Sequence, residues 1–146
     1  MLHIINILVD NHFGVLARVS GLFSARGYNI ESLCVGITED PTTSRMTVVV
    51  QGDHNIVDQI NHQLNKMVEV IEVSDLTRDD HVERELVLAR LNTDTKQRSQ
   101  LLEVVNIFRA KIVDVSPNAL IIEATGSIEK ISAFIDMMRP YGIVDL

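Results

Sequence analysis

The 146-residue sequence predicts an α+β protein built from two βαββαβ units in tandem. Three observations carry this. Apolar residues recur every three or four positions in some segments and alternate in others, and these segments follow the order strand, helix, strand, strand, helix, strand. A charged stretch, TRDDHVER at residues 77–84, interrupts the pattern at mid-chain. The same grammar then repeats: 52–70 and 126–144 are equally spaced, with Val57, Ile60 and Leu64 answering to Ile131, Phe134 and Met138. The order is the split βαβ arrangement of ferredoxin-like folds.

In the first unit, the nearly continuous apolar run at 2–9 suits a covered strand. A turn at Asn11, His12 and Gly14 leads into a helix whose apolar stripe is Val15, Leu16, Val19, Leu22 and Phe23. Gly27 stops that helix after the basic Arg26. Residues 28–37 alternate as a second strand, with Leu33, Val35 and Ile37 on one side and Ser32, Cys34 and Gly36 on the other. A polar connection at 38–44 precedes a Val- and Thr-rich strand at 45–51. Asp53 or His54 opens the second helix, with Ile56, Val57, Ile60 and Leu64 inward. The fourth strand is placed at 67–76, with Val68, Val70 and Glu72 on one side and Glu69, Ile71 and Val73 on the other.

The second unit is predicted as strands at 85–91, 112–115, 119–125 and 141–144 and helices at 96–110 and 128–138, with Phe108 matched to Phe23. It lacks the Asn-x-x-Gly turn and the glycine stop, so it can share the fold without sharing any ligand site that this turn forms. The units are assigned as 1–77, a linker at 78–84, and 85–146. Each half is small enough, at about 60–80 residues, that a solitary core is marginal. Two-sided apolar character at 2–9 and 48–50 predicts that a second copy covers the first unit, giving a homodimer or a higher oligomer.

Composition excludes several classes of function. Net charge is −7 with no basic run, which argues against nucleic-acid binding. The single cysteine, Cys34, rules out an intrachain disulfide and a cysteine metal cluster, and reads as a small buried or interface thiol. The five histidines are scattered and read as surface residues, with His12 set apart by its place in the turn. No stretch is long and apolar enough to span a membrane and no leader pattern is visible, so a cytoplasmic protein is expected. No Ser–His–acid arrangement, P-loop or dinucleotide fingerprint occurs, and no catalytic residue or metal site is assigned.

The turn at 11–14 has two readings from local sequence: a steric glycine at a helix start, or a ready site for a small anion such as a carboxylate. Together, NHFG at 11–14, GLFSARGYNIESL at 21–33, SRMT at 44–47 and HVERE at 81–85 resemble the small regulatory subunit of acetolactate synthase (acetohydroxyacid synthase), which opens with an ACT domain. The resemblance is specific through the first 80 or so residues and looser beyond. It implies that 1–77 is an ACT domain and that the chain activates a catalytic large subunit and mediates feedback by valine. In the resemblance, valine is held between two paired ACT domains by Asn11 and the backbone of Gly14, Val15 and Leu16, and closed by Asn29 and Ile30 of the partner copy. Thiamine diphosphate, magnesium and FAD would belong to the catalytic subunit, with no cofactor in this chain. The alternative is a free-standing amino-acid sensor of the ACT type that regulates another enzyme or a transcription factor.

Overall fold

The computed structural model describes residues 1–94 and 96–146. The chain divides into two compact units, 1–81 and 82–146. Each is a four-stranded antiparallel sheet with two helices, which bears out the predicted tandem of βαββαβ units. Among the described residues, no helix is long and apolar enough to cross a membrane.

The first unit runs β1 (Leu2–Asp10), α1 (Val15–Ala25), β2 (Ile30–Ile37), β3 (Thr43–Gln51), α2 (His54–Leu64) and β4 (Val70–Asp75). Its strand order is β2-β3-β1-β4. Alternation along the two central strands sends Ile5, Ile7, Val9, Met46, Val48 and Val50 to one face, where they pack on Val15, Val19 and Phe23 of α1 and Val57, Ile60 and Leu64 of α2. Asp53 caps α2, accepting from the Ile56 amide at 2.9 Å. Gly27, at φ +71, ends α1 in a Schellman turn: the Tyr28 amide donates to Phe23 O and the Gly27 amide to Ser24 O.

The second unit runs β5 (Glu85–Asn92), α3 (Gln97–Ile107), β6 (Lys111–Ser116), β7 (Ala119–Gly126), α4 (Ile128–Met138) and β8 (Ile143–Asp145), ordered β6-β7-β5-β8. Ile131, Phe134 and Met138 are buried at the places their counterparts in α2 occupy. The α3 turn is also of the Schellman type, with Ala110 N donating to Val105 O, although Arg109 sits where Gly27 does and takes φ +53.

Four expectations need correction. Val70 and Val73 do not lie on opposite faces: a register shift opposite Leu8 and Val9 leaves Ile71 as an extra residue, 53 % exposed, and turns both valines to the core. Phe108 is not the counterpart of Phe23; counted from the two helix starts, Phe23 aligns with Val105 and Phe108 with Arg26. Of the two readings of Cys34, buried or at an interface, only the buried one fails: it is exposed in the single chain, on the edge strand β2. His3 is not on the surface. It is wholly buried, edge-on to His54 with ring centroids 5.2 Å apart, and neither ring nitrogen has a hydrogen-bond partner among the described residues.

Candidate functional site

The candidate corner forms where β1 ends and α1 begins. The Asn11 amide donates to Thr42 O at 2.7 Å, and its side-chain Nδ2 donates to Pro41 O at 2.9 Å. The β2–β3 connection thereby braces the turn, while Asn11 Oδ1 takes no hydrogen bond among the described residues. That connection is itself tied together, since Asp40 Oδ1 accepts from both the amide (2.9 Å) and the hydroxyl (2.7 Å) of Thr42. The Thr42 bonds hold the Asp40 carboxyl below its usual range.

Gly14 immediately precedes α1 at φ +86, a conformation that L side chains adopt at a cost. A Cβ there would meet nothing within 4 Å, so the demand for glycine comes from the backbone and from no crowding neighbour. No side chain caps α1. The other three helices each have an acceptor at the start: Asp53 for α2, Ser127 for α4, and Asp94 Oδ1 for α3, which takes the amides of Lys96 and Gln97 at 2.9 and 2.8 Å. Apart from the Val15 amide, which reaches His12 O at 3.5 Å, the first turn of α1 therefore keeps backbone donors and partial positive charge for an outside acceptor. One turn into the helix, Arg18 pairs with Glu69 at 2.6 Å, and the Glu69 carbonyl accepts from the Asp10 amide. Helix, turn and the start of β4 are thus joined around the corner.

The residues singled out from the sequence fall in two places. Asn11, Gly14, Val15 and Leu16 are together at the end of the sheet where β1 finishes. The Val15 side chain is buried in the core and its amide already makes a long hydrogen bond, 3.5 Å, to His12 O, whereas Leu16 is 44 % exposed. Asn29 and Ile30 lie at the opposite end. Ile30 pairs with Val50, which pairs with His3, while Ile37 pairs with Ser44, which pairs with Val9. Within one chain the two groups are a strand length apart, roughly 20 Å. Asn29 bonds to Glu31 at 2.9 Å, and Ile30 packs on the core. His12 is exposed, with Nδ1 3.2 Å from Phe13 O. A cleft of about 450 Å³ is lined chiefly by Cys34, Gly36, Arg45 and Thr47 and contains none of the site residues.

The sequence reading passed over Phe13, whose ring is fully exposed inside the turn. An apolar aromatic in a four-residue polar turn was the available signal. The second unit has the same backbone joint, with the Thr93 amide donating to Asn118 O as Asn11 does to Thr42 O. There, however, Asp94 already occupies the helix donors. Among the described residues, no group of three or more His, Cys, Asp and Glu could hold a metal ion.

Comparison with known proteins agrees with this architecture. Residues 5–72 match the family described as the AHAS small subunit-like ACT domain, and residues 84–146 match the one described as the small subunit of acetolactate synthase. The chain is 56 % identical over 146 residues to the probable acetolactate synthase small subunit of Archaeoglobus fulgidus, covering all of this chain and 91 % of the relative. It is 49 % identical over 144 residues to the acetolactate synthase small subunit of Mycolicibacterium smegmatis, covering 99 % and 85 %. The crystal structure of the small subunit from Thermotoga maritima superposes with a TM-score of 0.89 at 37 % identity, covering 99 % of this chain and 91 % of that one. With an ACT domain in its first half and the C-terminal domain of the same subunit in its second, the chain belongs to the acetolactate synthase small-subunit family.

Proposed function

We propose that this chain is the non-catalytic regulatory subunit of a cytoplasmic acetolactate synthase. In this reading it activates a catalytic large subunit, which carries thiamine diphosphate, magnesium and FAD, and it relays feedback by valine bound between two ACT domains. The observation that carries the effector site is the uncapped start of α1 behind Gly14. Its amides suit the carboxylate of a free amino acid, and Asn11 Oδ1 suits the ammonium group.

The separation of Asn29 and Ile30 from the corner supports a site shared by two copies. β2 is an edge strand with no partner on its outer side, and Leu33, Val35 and Ile37 are 40–66 % exposed along it. When two such edges pair antiparallel about a two-fold axis, the start of one β2 lies beside the end of the other. Residues 29–30 of a second copy then reach the end of the sheet where Asn11 and Gly14 wait.

The energetics suit a metabolite sensor. Each charge-assisted hydrogen bond contributes about 1.5–3 kcal/mol, the helix terminus about 0.3–1, and burial of an isopropyl group about 1.5–3. After the costs of association, micromolar to submillimolar affinity follows. A coupling of about 1–3 kcal/mol between effector and dimer geometry is enough for 5- to 150-fold control. Calorimetric titration of the protein with valine, leucine and isoleucine, followed by reconstitution with the large subunit, tests the reading. Binding together with valine-sensitive acetolactate formation is expected. Binding without capture of a thiamine-dependent subunit would instead favour a free-standing amino-acid sensor.

A further inference from the structure

The corner carries a second chemistry beside its polar groups. Phe13 leaves its whole ring in solvent (101 % exposed), while the other three phenylalanines and both tyrosines are buried or half-buried. Leu16, one helical turn on, is also largely open. The ring is presented by a braced turn: Asn11 is tied to Pro41 and Thr42, His12 contacts Phe13 O, and Arg18 is locked to Glu69. Its exposure therefore does not come from a loose loop. An aromatic ring with no burial contributes nothing to this fold, and it stands between two groups assigned to the charged end of the effector.

We infer that Phe13, with Leu16 beside it, is the apolar half of the effector corner and sets its selectivity for a branched aliphatic side chain over a methyl group. The inference rests on the effector reading above. A free amino acid has a zwitterionic end and an apolar end. The α1 amides and Asn11 Oδ1 suit the first, and the ring offers the second a surface that water otherwise occupies.

The test is calorimetric titration of the full chain with L-valine and L-alanine in wild type, Phe13→Ala and Phe13→Leu. Phe13→Ala should weaken valine about tenfold, the equivalent of nearly two buried methylenes, and leave alanine binding where it was. Phe13→Leu should recover most of the preference. Thermal unfolding should not move in either variant, because the ring touches nothing in the fold. Unchanged valine affinity and preference in Phe13→Ala would overturn the inference alone, as would an equal loss of both ligands. A wild-type protein that binds neither amino acid would overturn the effector reading and this inference with it.

Discussion

Gly14→Asp separates the two roles that a glycine at the start of α1 can have, provided Gly14→Ala is measured beside it. Both variants place a Cβ at φ +86 where no neighbour lies within 4 Å, so both carry backbone strain without a clash, Asp somewhat less than Ala because its short polar side chain tolerates the left-handed region. That strain is about 1 kcal/mol, or roughly 4–8 °C of melting midpoint for a unit of this size. The Asp variant adds a carboxylate to an uncapped helix start, which returns about 0.3–1 kcal/mol. It should therefore melt at or slightly above the Ala variant. The effector carboxylate then meets a like charge and loses at least one charge-assisted bond of about 1.5–3 kcal/mol, weakening valine roughly 10- to 150-fold. Gly14→Ala should bind nearly as wild type does. In the reconstituted synthase, Gly14→Asp should lose valine inhibition and keep activation. The reasoning fails if calorimetry finds valine bound equally well by the Asp and Ala variants, or if Gly14→Ala alone abolishes binding.

The remaining predictions concern the scaffold. Arg109→Gly should stabilise the second unit by about 1 kcal/mol by relieving the left-handed conformation at φ +53, and Gly27→Ala should cost the first unit a similar amount; an Arg109→Gly protein that melts no higher would contradict this. Replacing His3 by Leu removes two buried nitrogens that have no protein partner and should raise stability by about 1–3 kcal/mol in urea denaturation. A loss instead would mean that hydrogen bonds to water hold the ring. Asp40 titrates below its usual range because Thr42 bonds its charged form, so its contribution is present above the unfolded pKa and is lost as pH falls through the lowered folded value. The Thr42 amide resonance should track that step, and the response should vanish in Asp40→Asn.

Periodicity made the helices legible. Val57, Ile60 and Leu64 and their counterparts Ile131, Phe134 and Met138 were readable because burial follows the 3.6-residue repeat. The Gly27 stop was readable because glycine is the usual left-handed residue there, whereas Arg109 makes the same turn without any local signal. A strict period of two misassigned Val70 and Val73, since counting along a strand cannot reveal an inserted residue. His3 lay within an apolar run, yet its residue type suggested solvent, and only the packing of β1 against the start of α2 buries it. Phe13 is the converse case: an apolar residue that the fold leaves in water. At the corner, the glycine turn and the asparagine were visible in the sequence. The bracing by Pro41 and Thr42 and the missing cap were not, because they depend on a connection 30 residues away and on what is absent from a helix start.

The central claim is that one effector site takes its helix donors from one copy and residues 29–30 from another. Calorimetry on a mixed dimer, with Gly14→Asp in one chain and Asn29→Ala in the other, tests it most directly. If the site is shared, one of the two corners draws only on unmodified residues, and the mixed dimer should bind one valine with the wild-type affinity while each parent homodimer binds none. If the site lies within a single chain, both corners are damaged and no tight binding survives, which would contradict the account.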